Sequence, residues 1–552
     1  MNTLTLIKQN YRFILLLLLI VGGFLRFYNL DWGSPFYFHP DERNIASSVS
    51  QMFFPGNLHP HFFAYGSFSL YLFYFTGLLL NLFSVCKNTF FDCSVPFEQA
   101  ILISRFYAAF FSTLLIPLLY LLGKELKNRE VGVLAAFLTT LSVGFIQFSH
   151  FGTVETLLAF FSTVLFYCCL RYYKTKKTFF LILSGLTLGV LCSIKISSTI
   201  LVITIPLTIF SLSFKAISIT HIRAVFLHLL SSITKTFFTF FFAAIVFILT
   251  NPYVFLDFNG FRDSMRYESG VVLGTIPVFY TGEFYGTTPV IYPLFHSFPF
   301  LLNPLLFSLF IPSFFLFLYL TYKKKHFIYQ LLICFFLLIF LSQSVVFAKW
   351  TRYLLPTLPF IYLLLSVVFF EVCHRLKEKR LYLYYLLYLS SFLFAVSYVI
   401  TAFVQEDTRT AAASWARKNV DHDPEILSEM YDMGIVPFND TFHNIQLFNF
   451  YDLDSSSPDF TPQTLRNRLE KSAYIILPSQ RVKKVRLLNE KQFPKGHAFY
   501  KDLVTGNTGF IKMYQTPCDI WCTITYLGDP IFRYEETVSV FDRPVVSIYK
   551  KI

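Results

Sequence analysis

Long apolar runs joined by short polar, mostly basic, stretches fill the chain up to residue 404. The runs lie at 13–25, 101–123, 131–149, 153–171, 178–194, 196–214, 225–250, 296–322, 327–348, 353–371 and 381–404. Most of them approach or reach the roughly 20 apolar residues that carry a helix across a bilayer. The pattern predicts a polytopic α-helical membrane protein with eleven transmembrane helices. Beyond 404 the pattern changes: charged residues become denser and long apolar runs stop. Segments 409–419 and 464–471 read as helices, and 425–430, 473–477 and 545–549 as strands. Two domains are therefore expected: a membrane-embedded part, 1–404, and an α/β domain, 405–552, long enough to bury a core of its own.

Charge gives the chain an orientation. Basic clusters stand at Lys124–Arg129, Arg171–Lys177, Lys215–Arg223, Lys323–Lys325 and Arg375–Arg380. The positive-inside rule places all five in the cytoplasm, together with the N-terminus. That requires segment 66–86 not to cross. It is then a juxtamembrane element within one large first external loop, 31–100. The first run is read as a retained span, because no small-residue cleavage site follows it. The same topology puts 251–295, His150–Glu155, Lys195, Lys349–Arg352 and the tail outside. The expected location is a plasma (inner) membrane, with the site and tail extracytoplasmic.

Composition agrees with that class. Hydrophobic residues make up 55% of the chain and charged residues only 14%, against about 25% charged in soluble domains. The net charge of +13 sits in the inter-span clusters, where topology uses it, so it gives no reason to expect nucleic acid. Most of the 71 Phe and 34 Tyr suit span packing and interfacial belts. Tyr253, Tyr267, Tyr280 and Tyr285, in one external loop, are the ones placed to stack on a sugar. Of nine cysteines, Cys86/Cys93 and Cys518/Cys522 fall outside, as disulfides or free thiols. Cys168, Cys169, Cys192 and Cys334 read as apolar fillers.

Within so apolar a chain, Asp41-Glu42, just past the first span, stands out. Ionised groups at a membrane surface are costly and default to a functional reading. Acids there suit a general base or a metal ligand, and cations suit a lipid-linked phosphate. There is no Gly-rich phosphate loop and no His-Glu-x-x-His run, which disfavours a cytosolic nucleotide donor and a zinc protease. Group transfer from a membrane-borne donor, or transport, remains.

Several motifs recur in order: Asp41-Glu42, Asn57-Leu-His-Pro60 with Tyr65-Gly66, Arg105, Ser149-His-Phe-Gly-Thr-Val-Glu155, Lys195-Ile-Ser-Ser, Asn251-Pro-Tyr253 and Lys349-Trp-Thr-Arg352-Tyr-Leu-Leu-Pro356. In these the chain resembles the lipid-carrier-dependent glycosyltransferases of the GT-C superfamily, family 39 type. That group includes protein O-mannosyltransferases and the lipid A aminoarabinose transferase. The resemblance implies an inverting glycosyltransferase. It would move a sugar from a polyprenyl-phosphate donor to an extracytoplasmic hydroxyl of a protein, lipid or glycan.

It further implies Asp41 as general base, with Glu42 orienting it, holding the acceptor or binding a metal. Glu155 stands where the family more often has Asp; it would bind the acceptor or a metal. Lys195, Arg352 and Arg105 would meet the donor phosphate, although Arg105 also suits a structural brace. No cofactor is certain; a divalent metal could draw on Glu155, His150 and His39, although their spacing forms no recognised ligand set. The rival reading is a transporter or flippase of lipid-linked sugars. Paired repeats and midplane charges would mark one, whereas here the acids gather at one face.

Overall fold

The computed structural model describes residues 3–82, 93–216, 222–376 and 380–552. Its first eight α-helices are α1 (Thr3–Phe27), α2 (Pro40–Ser50), α3 (Ser67–Asn81), α4 (Phe97–Leu126), α5 (Arg129–Thr140), α6 (Val143–His150), α7 (Glu155–Thr175) and α8 (Thr178–Ile194). Each of the eleven expected runs contains helix. Among the described residues, eight helices are long and apolar enough to cross a membrane. A ninth span forms if α5 and α6, bent by 48°, count as one. The other two runs, Thr178–Ile194 and Ile196–Leu212, are apolar but shorter. They fall short because the chain breaks at Lys195, whose backbone is extended (φ −154°, ψ 124°). The run expected at 296–322 also differs. It breaks at Asn303, whose side chain caps helix Pro304–Lys324 by accepting from Leu306 N–H at 2.9 Å.

Helix α3 has 15 residues, about 22 Å at 1.5 Å per residue. That is short of a hydrocarbon core of about 30 Å, so 67–81 does not cross as a single straight helix. Its start is fixed by two motifs from elsewhere. Asn251 Oδ1 accepts from Ser67 N–H at 2.8 Å, and Gly66 N–H donates to Ile194 O at 2.9 Å. A Cβ on Gly66 would lie 2.0 Å from Ser193 O. Only glycine lets the first loop lie this close to the end of α8.

Small residues also set the helix packing. A Cβ on Gly185 or Gly189 would meet backbone oxygens of helix Ile222–Thr250 at 2.3 and 2.6 Å. In α1, Arg26 is fully buried. It donates to Ser112 Oγ at 2.8 Å, to Thr139 O at 2.6 Å and to Thr140 O at 3.1 Å, tying α1 to α4 and α5.

The tail carries a five-stranded sheet of β1 (Ile426–Glu429), β2 (Ile445–Phe448), β3 (Tyr474–Leu477), β4 (Phe510–Gln515) and β5 (Ser547–Lys551), in the order β2-β1-β3-β5-β4. The β1–β2 and β1–β3 pairs are parallel, while β3–β5 and β4–β5 are antiparallel. Two apolar clusters, one around Leu427 and Ile475 and one around Ile426 and Ile476, cover its faces. The alternation along each strand sends neighbours to opposite sides. Strands β2 and β4 were not foreseen, because neither alternates cleanly. The tail does not stand apart from the membrane part: Cys522, Tyr526, Tyr534, Val538 and Phe541 belong to the membrane part's own core. Cys518 and Cys522 form a disulfide. Cys93 is disulfide-bonded, and Cys86 lies outside the described residues.

Candidate active site

Helix α2 opens on His39 as N-cap and Pro40 at its first position, with Asp41 and Glu42 in the first turn. Proline is preset for that position, and acids there are favoured by the helix dipole. Successive helix residues point about 100° apart, given 3.6 per turn. The two carboxylates accordingly go to different places.

Glu42 is fully buried. It accepts from Arg105 Nε at 2.9 Å, from Arg105 Nη2 at 2.5 Å and from Gly152 N–H at 3.0 Å. Arg105 also donates to Leu30 O at 2.7 Å and Trp32 O at 2.8 Å, with its guanidinium 4.7 Å from the Trp32 ring centre. Its donors are thus largely taken up inside the protein. Arg105 braces the first loop, and the phosphate role expected for it does not fit this geometry. Glu42 is closed off from solvent within the same pair. Gly152 packs closely here: a Cβ on it would lie 2.2 Å from Ser104 Oγ and 3.3 Å from Glu42 Cβ.

Asp41 turns the other way and pairs with Arg352. Arg352 also lies over the rings of Trp350 (5.0 Å) and Tyr353 (5.5 Å), and its Nε has no partner. Together with Glu155, Lys195 and Tyr353, Arg352 lines a narrow pocket of about 50 Å³. Glu155, the first residue of α7, is 1% exposed, and neither carboxylate oxygen has a hydrogen-bond partner. A buried, unpartnered carboxylate is costly. The Lys195 ammonium sits 4.0 Å from the Tyr353 ring centre and 5.8 Å from that of Tyr65. Among the described residues no carboxylate forms an ion pair with it.

Lys195, Ser197, Ile200, Ser342, Gln343 and Tyr353 are shared with a wider groove of about 730 Å³. Its remaining wall is mostly aliphatic, including Val202, Ile203, Val272, Leu338 and Val346. A small chamber that carries Glu155, Arg352 and a lysine free of ion pairs among the described residues thus opens onto an apolar trough.

Sequence reasoning missed three neighbours of this chamber. Tyr65 is buried, and burial together with the charge of Glu155 holds its phenol well above the usual range. Its signal was the Tyr65-Gly66 motif, since Gly66 fixes the chain against α8. Glu268, on helix Phe258–Leu273, has its carboxyl raised by burial and drawn back by the charge of Lys195. Nothing local marked it. Tyr353, under the Lys195 ammonium, falls in the Lys349–Pro356 motif, which gives it no role of its own.

The metal set does not form. Among the described residues no three His, Cys, Asp or Glu come together to hold an ion. Both ring nitrogens of His150 lie 2.8 Å from backbone carbonyls, those of Ile146 and Tyr28. His39 is enclosed between the rings of Phe151 (4.4 Å) and Phe541 (4.5 Å). Burial and nearby arginines hold its imidazole well below the usual value. Of the four loop tyrosines, Tyr253 stacks on His59 at 4.3 Å, and Tyr285 packs on Phe347 and Phe493. Tyr280 packs near Trp350, while Tyr267 is exposed.

Residues 72–259 match the family described as Dolichyl-phosphate-mannose-protein mannosyltransferase. The whole chain superposes on the Archaeoglobus fulgidus oligosaccharyltransferase, in the structure tethered with an acceptor peptide containing the NVT sequon. The TM-score is 0.52 at 13% identity, over 99% of this chain and 89% of that one. The chain has a GT-C fold. Another structure of that archaeal protein, AglB, holds an inhibitory peptide and a dolichol-phosphate (TM-score 0.50, 12% identity, 99% and 89% covered). ArnT from Cupriavidus metallidurans bound to undecaprenyl phosphate aligns over 98% of each chain, with TM-score 0.45 and 12% identity. No curated protein matches by sequence. With its spans and this GT-C fold, the protein is a multi-pass membrane protein.

Proposed function

We propose that this chain is an inverting glycosyltransferase that moves a sugar from a polyprenyl-phosphate carrier to a hydroxyl acceptor on the extracytoplasmic side. One observation carries the reading. Arg352 joins Asp41 to a chamber that also holds Lys195 and Glu155, and the chamber opens onto an apolar groove. A polyprenyl chain fits the groove, and its phosphate fits between Lys195 and Arg352. Phosphate recognition favours cations with spare donors.

In the reaction, the acceptor hydroxyl gives its proton to Asp41 as its oxygen bonds to the anomeric carbon. The bond from that carbon to the phosphate oxygen breaks on the opposite face. Polyprenyl phosphate leaves with the electron pair, and Lys195 and Arg352 stabilise its charge. Arg352 contacts both the base and the leaving group, which couples the two events. The archaeal oligosaccharyltransferase is recorded with a dolichol-phosphate and with an acceptor peptide, which supports this class of donor.

A second reading of the base rests on Glu155: its oxygens are free of partners, whereas Asp41 is already paired. Purified protein given a panel of polyprenyl-phosphate sugars and a membrane-extract acceptor tests both readings. The expected result is polyprenyl phosphate release with one donor, lost in Asp41→Asn. Retained transfer in Asp41→Asn together with loss in Glu155→Gln moves the base to Glu155. Absence of transfer with every donor and extract overturns the glycosyltransferase reading.

A further inference from the structure

Arg352 lies in the short helix Thr351–Thr357, whose N-cap residue, Trp350, offers no side-chain acceptor. The backbone N–H groups at such a start need acceptors from elsewhere. The tail supplies one. Thr351 N–H donates to Glu535 Oε1 at 2.9 Å, and the other oxygen of Glu535 accepts from Thr537 N–H at 3.0 Å. Glu535 is fully buried. One carboxylate therefore caps two helix starts: that of Thr351–Thr357 in the membrane part and that of Glu536–Ser539 in the tail.

The same tail segment reaches the partner of Arg352. Phe541 packs on His39 with ring centres 4.5 Å apart, and His39 is the N-cap of the helix that carries Asp41. Phe541 O accepts from Arg409 Nη2 at 3.0 Å, and the Arg409 guanidinium lies 3.6 Å from the Phe38 ring centre. Asp542 accepts from Gln147 at 3.0 Å and from Tyr398 OH at 2.6 Å, fixing the segment to helices of the membrane part. Residues 535–542 thus touch the backbone N–H next to Arg352 and the imidazole of His39, two residues before Asp41.

We infer that Glu535 is a positioning residue for Arg352, so that the tail completes the active site from outside the membrane part. Phe541 does the corresponding work for Asp41 through His39. This rests on the glycosyltransferase reading above. It goes beyond that reading in giving the tail a part in the chemical step.

The test compares transfer rates of the full-length protein in detergent. Glu535→Ala is expected to lower kcat by about 10- to 100-fold, the range for a lost charge-assisted hydrogen bond, while donor KM changes little. Glu535→Gln, which keeps an oxygen for Thr351 N–H, is expected to recover most of that rate. In an Arg352→Lys background the loss from Glu535→Ala is expected to shrink, because the group being positioned has changed.

A purely structural role predicts the same factor in both backgrounds, and that result overturns the inference. So does full activity in Glu535→Ala. Should Glu535→Ala not fold, Thr351→Pro removes the N–H donor at a helix position proline tolerates, with Thr351→Val as control. Equal rates in those two variants also overturn it. Asp41→Asn is run alongside: if it keeps transfer, the base assignment fails, whereas an unaffected Glu535→Ala beside an inactive Asp41→Asn sinks only the inference.

Discussion

Asp41 and Glu42 are adjacent acids on one helical turn, and each pairs with an arginine, yet the two pairs differ in kind. Both side chains of the Glu42–Arg105 pair are 0% exposed, and backbone groups of Leu30, Trp32 and Gly152 complete it. In the Asp41–Arg352 pair the side chains are 21% and 14% exposed, and Arg352 keeps an unpartnered Nε beside a chamber with two more charged groups. A closed and satisfied pair holds structure together. An open pair with spare donors can exchange a partner for substrate. The contrast shows that an acidic dipeptide near a membrane need not act as one unit, because the helix sends its two members to opposite duties.

The largest expected effect separates the pairs most sharply. Asp41→Asn should lower kcat by about 10²- to 10⁴-fold, the usual worth of a general base, without moving the thermal midpoint in detergent. If it melts early instead, the two pairs are alike. Glu42→Ala should do the reverse, leaving Arg105 buried and unpaired at a cost of about 3–5 kcal/mol. Fluorescence-detected size exclusion after heating would read that loss, and an unchanged profile would deny the brace.

Lys195→Ala should raise donor KM by about 10- to 100-fold, since a cation free of ion pairs is offered to a phosphate. An unchanged KM would remove the phosphate from this chamber. Glu155→Gln should raise the melting temperature, because it discharges a buried carboxylate that has no partner, a gain of about 1–3 kcal/mol. A lower melting temperature would show that Glu155 is satisfied after all.

The smallest effect lies far from both pairs. Burial pushes the Glu429 carboxyl up to about 8, against an ordinary 4.5, with Tyr500 OH donating to it at 2.5 Å. A raised folded-state value means the folded tail holds its proton longer than the unfolded chain does. Stability is therefore full below about 4.5 and is lost as pH rises to about 8. Glu429→Gln should flatten the melting curve in that window. Glu283, also raised to about 8, keeps part of the slope. An unaltered slope would show that Glu429 does not titrate there.

Much of this was legible before the fold. The apolar runs fixed the helices, because crossing a bilayer needs a length and composition that few other segments share. The ordered motifs marked Gly66, Gly152, Asn251 and Lys195. The structure supplies their reasons: two close backbone approaches, a cap on α3 and a break in an apolar run. A brace was one of the two readings open to Arg105; that Glu42 is its partner was not legible. Their pairing joins residues 63 positions apart, and nothing local distinguishes a brace from a binding group. Tyr65, Glu268 and Glu535 matter only through what folding brings beside them.

By itself the sequence determined the class of the molecule, the position of its helical runs, the change to an α/β tail and the short set of acids and cations from which chemistry could be built. These follow from local composition and periodicity, which act over a few turns of chain. Only the tertiary structure decided which acid pairs with the arginine of the chamber, which arginine is spent on a brace, that among the described residues the histidines hold no metal set with Glu155, and that the tail reaches the neighbours of the Asp41–Arg352 pair. Those outcomes depend on contacts such as Asp41 with Arg352, 311 residues apart, and pairing over that distance is set by packing.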